Sequence, residues 1–353
     1  MNDTLYLLTG AAGCLGSNIS RGLIAEGKKV RALVLKGDPA EDRVPQEVEI
    51  ISGDLTDMKT LEEFFTVKEG TEIIVIHCAS MVTVSPDYSD KIYNVNVNGT
   101  KNMIHMCLKH GAKKMVYVSS TGAIPELPKG QPIKEVDSFD PGPIVGWYGK
   151  TKAIATQLVL DAVKEKGLDA SVVFPSGIFG PNDYAYGYVS KFIIDYVSGH
   201  MPAGIAGSFN AVDVRDLAAA VIACTEKGRP GEGYILANDT VTIRDMFRVI
   251  SEATGVPEVK MILPISAAKV IAFFAAIKTR LTKKPSSITS FAVYNLDRNN
   301  DFSYEKAKRE LGFKVRPFEE TMADNIAWLA GENKIPLKEN RRTSTDTPVL
   351  QGR

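Results

Sequence analysis

Short apolar runs separated by stretches with helical spacing organise the first half of the chain. The runs cover residues 5–9, 30–35, 48–51, 73–76, 115–118 and 170–174. Each is a nearly continuous aliphatic block, the pattern of a strand covered on both faces. Between several of them apolar residues recur at helical intervals, for example Met103, Cys107 and Leu108. This alternation predicts an α/β fold, a doubly wound parallel sheet with right-handed crossovers. Beyond Pro175 the regularity fails, and the Gly/Pro/Tyr-rich stretch 177–187 reads as a functional loop. A late strand and helix around 211–225 are expected to return to the sheet, and 236–332 to form a mostly helical remainder. Ser303 is placed to cap a helix through Leu311, Gly312 to end it, and Pro317 to open the last helix. The polar tail from about Asn333 predicts disorder.

Bulk composition narrows the class without naming it. The 353 residues are 44% hydrophobic and 24% charged, and 42 Lys and Arg balance 42 Asp and Glu. That is an ordinary globular composition, with no global field for nucleic acid or an anionic membrane. Cys14, Cys78, Cys107 and Cys224 match no metal-ligand or redox spacing. They read as buried thiols in a reducing cytoplasm, and no metal is expected. The chain enters a strand almost at once, which predicts no secretory signal. The apolar stretch 262–277 is broken by Pro264 and Lys269 and is too short for a span of about 20 residues. A buried helix lining a substrate pocket is the expectation. The basic flank of Lys278, Arg280, Lys283 and Lys284 leaves peripheral membrane contact through 262–284 open.

The first chemical signal is Gly10-Ala11-Ala12-Gly13-Cys14-Leu15-Gly16, directly after the first run and before a helical pattern (Ile19, Leu23, Ile24). Three glycines so placed let the backbone turn sharply and approach a diphosphate at the positive end of a helix dipole. Gly10, Gly13 and Gly16, with Ala12, Cys14 and Leu15 between them, are therefore candidate cofactor contacts. Residues 1–175, with 210–235 returning, form the expected dinucleotide-binding domain. Residues 176–209 and 236–332 would make a smaller, mostly helical substrate lobe, followed by the tail 333–353.

The second signal is Trp147-Tyr148-Gly149-Lys150-Thr151-Lys152. Tyr148 and Lys152 stand four apart, on one helix face. A phenol titrates near ~10, so a base working at neutral pH needs about 4 kcal/mol of preference for the phenolate. A nearby ammonium and a positively charged nicotinamide would supply it. The pair follows the fifth run, which ends in Val118-Ser119-Ser120-Thr121-Gly122. In doubly wound sheets ligands sit beyond such strand ends.

Together these pieces resemble the extended short-chain dehydrogenases/reductases. The resemblance runs from residue 4 to about 330. It includes Gly53-Asp54-Leu55-Thr56-Asp57, His77-Cys78-Ala79-Ser80, Asn96-Val97-Asn98-Gly99-Thr100, Pro175-Ser176-Gly177-Ile178-Phe179-Gly180-Pro181 and Val212-Asp213-Val214-Arg215-Asp216. It implies that the glycines cradle the diphosphate, Asp54 and Leu55 contact the adenine, and Ala79 lies along the nicotinamide. Pro175, Gly177 and Ile178 would join the cofactor site. Tyr148 would be the general acid/base, with Lys152 on the nicotinamide ribose and Ser120 on the reacting oxygen. Thr121 is the fallback for that hydroxyl, and Asn96 is either catalytic or a backbone-bonding helix residue. The late segments Asp301-Phe302-Ser303-Tyr304-Glu305-Lys306-Ala307 and Leu311-Gly312-Phe313 look most like the dihydroflavonol-reductase and 3β-hydroxysteroid-dehydrogenase branch.

Two departures refine the expectation. Val34, Leu35 and Lys36 stand where NAD-preferring members carry an acid. Lys36 therefore favours NADP(H), with NAD(H) possible through Asp38. Phe174 replaces an arginine common before Pro175, and the following loop lacks the asparagine common in nucleotide-sugar enzymes. The expected protein is an NAD(P)H-dependent oxidoreductase that interconverts a carbonyl and an alcohol. Ile262, Leu263, Val270, Ile271, Phe273 and Phe274 suggest a bulky apolar substrate of steroid, terpenoid or phenylpropanoid type. The alternatives are a nucleotide-sugar epimerase or dehydratase that retains its cofactor, and a non-catalytic NADP-sensing regulator. A homodimer is expected from the resemblance.

Overall fold

The computed structural model of the protein describes residues 3–282 and 289–336. Lys283, Lys284 and the tail from 337 lie outside the described residues. All six apolar runs form strands within one residue of the expected bounds: β1 (Thr4–Thr9), β2 (Lys29–Val34), β3 (Glu49–Ser52), β4 (Glu72–His77), β5 (Lys114–Val118) and β6 (Ala170–Pro175). Helices α1 (Cys14–Ala25), α2 (Met58–Phe65), α3 (Asp90–Tyr93), α4 (Gly99–Lys109) and α5 (Trp147–Lys166) lie between them.

The main sheet has seven parallel strands. Their order is β10-β6-β5-β4-β1-β2-β3, where β10 is Gly233–Leu236. Strand order reverses between β1 and β4, and the carboxyl ends of those strands open the crevice where such folds bind ligands. Alternate residues of β1 feed opposite cores. Tyr6 and Leu8 pack with Ile19 and Leu23 of α1 and with Leu217 and Val221, whereas Leu7 packs with Phe64, Met103 and Val159. Period-two alternation thus buries both faces of the same strand.

The second half supplies β7 (Gly177–Phe179), α6 (Tyr188–Val197), β8 (Gly204–Ile205), β9 (Ser208–Asp213) and α7 (Val214–Lys227). After β10 come β11 (Thr240–Thr242), α8 (Ile243–Thr254), β12 (Ile262–Leu263), α9 (Ile265–Thr282), α10 (Ser290–Asp297), α11 (Glu305–Leu311) and α12 (Phe318–Gly331). The late strand–helix pair divides its loyalties. Helix α7 packs on α1 against the main sheet, but β9 pairs with β7 and β11 in a separate three-stranded sheet. The seventh main-sheet strand is β10, which follows α7 and is not among the expected runs.

The expected Ser303 cap is also displaced. Tyr304 precedes α11, because the Ser303 N–H bonds the Ile133 carbonyl at 2.8 Å beside the Ile133–Phe302 bridge. Gly312 does end α11, in the left-handed conformation at φ 75°.

A second correction concerns α9. Its Val270, Ile271, Phe273 and Phe274 are exposed rather than buried around a pocket, while Ala268 and Ala272 face inward with Val293. Small residues permit the close approach to α10, which turns the large ones outward.

Candidate active site

The glycine-rich turn sits at the switch point. Gly10 has φ 78°, and a Cβ there would meet the Ala79 backbone nitrogen at 2.9 Å. A side chain at Gly16 would run into the Gly10 carbonyl. Only glycine lets α1 start this close to the turn, leaving its first-turn amides and positive dipole end facing the crevice. Gly13 precedes α1 without a side-chain cap, Ala12 and Leu15 are buried, and Cys14 is half-buried. This cradle fits a dinucleotide diphosphate.

Other expected contacts line the same strand ends. Asp54 accepts from the Thr56 N–H and hydroxyl, both at 2.8 Å, and the Leu55 carbonyl accepts from Asn102 at 2.9 Å. Lys36 is exposed in the turn after β2. Asp38 spends its carboxylate on the Ala40 N–H at 2.9 Å. Arg31 bonds Glu49 at 2.8 Å and the Phe64 and Thr66 carbonyls, and so takes no part here. Pro175 ends β6, and Gly177 and Ile178 pair with Ala211 and Val212 of β9. Asn18 of α1 donates to the Pro181 carbonyl at 3.0 Å and accepts from Asn182 at 3.1 Å. That tie fastens the 177–187 loop beside the glycine turn.

Tyr148 lies in the first turn of α5, and Gly149 explains its placement. A Cβ on Gly149 would meet the Gly122 carbonyl oxygen at 2.5 Å. The missing side chain therefore lets α5 rest on the serine turn. The three hydroxyls of that turn differ in their surroundings. Ser119 is buried and bonded to Thr156 at 2.7 Å, and Thr121 is buried. Ser120 accepts from the Gly122 N–H at 3.1 Å and lies beside the Tyr148 side chain. Burial raises the Tyr148 pKa above that of a free phenol, and the neighbouring Ser120 and Ser80 hydroxyls oppose the rise. Ser80 is a site residue that sequence reasoning passed over, although it stands inside the quoted His77–Ser80 motif.

Lys152 is buried one helical turn further. Its ammonium donates to the Val118 carbonyl at 2.6 Å and lies 4.6 Å from the Tyr117 ring centroid. Burial drives its pKa down to about 7, with Cys78 as an opposing influence. The Cys78 thiol is itself pushed up to about 12 by burial. Lys152 thus bonds strand backbone in this structure.

A buried polar chain supports this arrangement. The Thr100 hydroxyl donates to the Asn96 carbonyl at 2.7 Å, so it accepts from His77 Nε2 at 3.1 Å. His77 Nδ1 is then the acceptor for the Thr9 hydroxyl at 2.7 Å, and Thr9 accepts from the Ala79 N–H at 3.2 Å. His77 is neutral, its pKa pushed down to about 3 by burial and by Lys152. Asn96 occupies a π-helical turn between α3 and α4. Its side chain accepts from the Met81 N–H at 2.7 Å and donates to the Met81 carbonyl and to Thr151, each at 3.0 Å. Thr151 donates in turn to the Tyr148 carbonyl at 2.8 Å. In this structure Asn96 has the backbone-bonding role, fastening the 79–81 loop to the helix of Tyr148.

Phe174 stacks on Phe139 in the core, ring centroids 5.3 Å apart. The position that carries an arginine in many members therefore contributes packing here.

A seven-stranded parallel sheet with a glycine cradle at its switch point and a tyrosine–lysine helix beside it defines a nucleotide-dependent oxidoreductase of the short-chain type. A profile of the NAD dependent epimerase/dehydratase family matches residues 6–237, and the chain belongs to that family. It is 30% identical to sterol demethylase protein B of Methylococcus capsulatus, over 93% of this chain and 99% of that protein. The decarboxylating sterol-4-alpha-carboxylate 3-dehydrogenase of Saccharomyces cerevisiae is 31% identical, over 80% of this chain and 83% of its own. Among solved structures, gox2253 matches with a TM-score of 0.82 and 30% identity, over 95% of this chain and all of that one. The UDP-glucose 4-epimerase of Thermotoga maritima, solved with UDP-glucose, shares the fold at a TM-score of 0.77 and 21% identity, over 93% of this chain and 99% of that one.

Proposed function

We propose that the protein interconverts a ketone or aldehyde and the corresponding alcohol on a bulky, largely apolar substrate, with NADP(H) as the preferred cofactor. The observation that carries the reading is the placement of Tyr148 and Lys152 one turn apart on the helix that rests on the serine turn, with Ser120 beside the phenol. Hydride donation or acceptance at C4 of the nicotinamide is the chemistry the bound cofactor supplies. The chain's residues do the rest. Ser120 holds the substrate oxygen as charge grows on it, and Tyr148 gives or takes the proton at that oxygen. Lys152 orients the ribose and lends positive charge to the phenol. Two sterol-named relatives and the absence of an arginine at Phe174 support an apolar substrate over a sugar nucleotide. The cation at Lys36 and the engagement of Asp38 in its own turn support the 2′-phosphate.

The test is a panel of sterol, terpenoid and phenylpropanoid ketones and alcohols, followed at the nicotinamide absorbance with both cofactors, for wild type and Tyr148→Phe. Turnover that falls by a factor on the order of 100 in the variant, with cofactor binding retained, supports the assignment. Near-normal turnover removes Tyr148 from the mechanism. A protein that copurifies with bound cofactor and consumes none from outside is instead an epimerase or dehydratase.

A further inference from the structure

We propose that α9 is a docking surface for anionic lipid membranes. The helix is built inside out. Its inward stripe is made of small residues, Ala268 and Ala272, seated on Val293 of α10. Its large apolar residues point the other way. Val270, Phe273, Phe274, Ile277 and Leu281 are all exposed, the two phenylalanines at 63% and Leu281 at 80%. At 100° per residue these five fall on one face, opposite the alanines. The Phe273 and Phe274 rings lie edge to face, 5.5 Å apart, with no described core around them. Exposing such a stripe to water is costly, so something covers it.

The charge pattern says what. Between Glu258 and Asp297 the sequence holds six cations, Lys260, Lys269, Lys278, Arg280, Lys283 and Lys284, and no Asp or Glu. Lys278 is exposed beside the stripe, whereas Lys269 is paired with Asp297 at 3.0 Å. An apolar face flanked by cations matches a helix lying in the headgroup region, its aromatic rings in the acyl boundary and its lysines on anionic phosphates. A second copy of the chain fits less well, because stacking the stripe on itself brings the exposed Lys278 of each copy to the same seam, with no Asp or Glu in α9 to answer them. The surface adheres rather than spans, since among the described residues no helix is long and apolar enough to cross a membrane. Docking would also bring the site to the lipid. Helix α9 rests on α10, whose Phe291 ring fills the space above Gly146, two residues before Tyr148.

The experiment is flotation of the full-length protein with vesicles of phosphatidylcholine alone or with about one third phosphatidylglycerol. It compares wild type, Phe273→Ser/Phe274→Ser and Lys278→Glu. Wild type is expected to float with anionic vesicles at least about tenfold better than with neutral ones, and to be released by salt. The double variant is expected to lose binding about tenfold or more while its melting temperature and cofactor binding stay unchanged, because both rings are exposed. Lys278→Glu should weaken binding to anionic vesicles only. Failure of wild type to float on either vesicle, or undiminished binding of the double variant, overturns the proposal. So does a wild-type dimer in sedimentation velocity that the double variant converts to monomer without vesicle binding by either protein. The readout is binding, so it stands apart from whether the reaction assigned above is correct.

Discussion

Lys152→Met should make the cofactor-free protein more stable while disabling it. The Lys152 pKa falls from 10.5 to about 7 in the folded state. At ~1.4 kcal/mol per pH unit, the buried ammonium is about 5 kcal/mol worse off than in the unfolded chain, and about 4 kcal/mol of this is felt at pH 7. The folded pKa is the lower one, so the unfolded state binds more protons between pH 7 and 10.5. Stability of the wild type from this residue therefore rises with pH across that window. Methionine fills similar volume without charge, but it leaves the Val118 carbonyl without its donor, which costs ~1–3 kcal/mol. Urea unfolding at pH 7 should then find the variant more stable by roughly 1–3 kcal/mol. At pH 8.5 the variant's advantage should shrink by about 1 to 2 kcal/mol, below the range where the buried thiols and phenols titrate. Turnover should meanwhile fall on the order of 100-fold. A stability difference identical at the two pH values, or a wild type more stable at both, would refute the claim that the fold holds Lys152 against its own ionisation.

Gly149→Ala should cut turnover at least about tenfold with little change in cofactor affinity, because its Cβ meets the Gly122 carbonyl at 2.5 Å and pushes Tyr148 off Ser120; fluorescence titration beside steady-state kinetics checks it. His77→Gln should blunt acid destabilisation. The wild-type imidazole resists protonation down to about pH 3, so the unfolded chain takes up a proton that the folded chain refuses once pH falls below 6.5. Equal loss of stability between pH 6.5 and 4.5 in both proteins would count against the buried neutral histidine. Lys36→Glu should lower the NADPH over NADH ratio of kcat/KM by about tenfold or more; an unchanged ratio would reassign the 2′-position.

Local chemistry made much of this protein legible from its sequence. Strands covered on both faces are continuously apolar, so β1, β2, β4, β5 and β6 announced themselves, whereas the edge strand β3 is mostly exposed. The glycines of the first turn were equally plain, since a side chain at Gly10 or Gly16 would run into backbone. The i, i+4 spacing by itself puts Tyr148 and Lys152 on one helix face. Only the tertiary structure set Ser120 apart from Ser119 and Thr121, because three adjacent hydroxyls differ by which neighbour reaches them, and Thr156 claims the first. Only the fold showed Asn96 bonded to Met81 and Thr151, and Ser80 beside the phenol, since those contacts join segments far apart in the chain. The apolar residues of α9 were visible as apolar. Their direction was not, because it depends on which stripe of the helix α10 accepts, and α10 accepts the alanines.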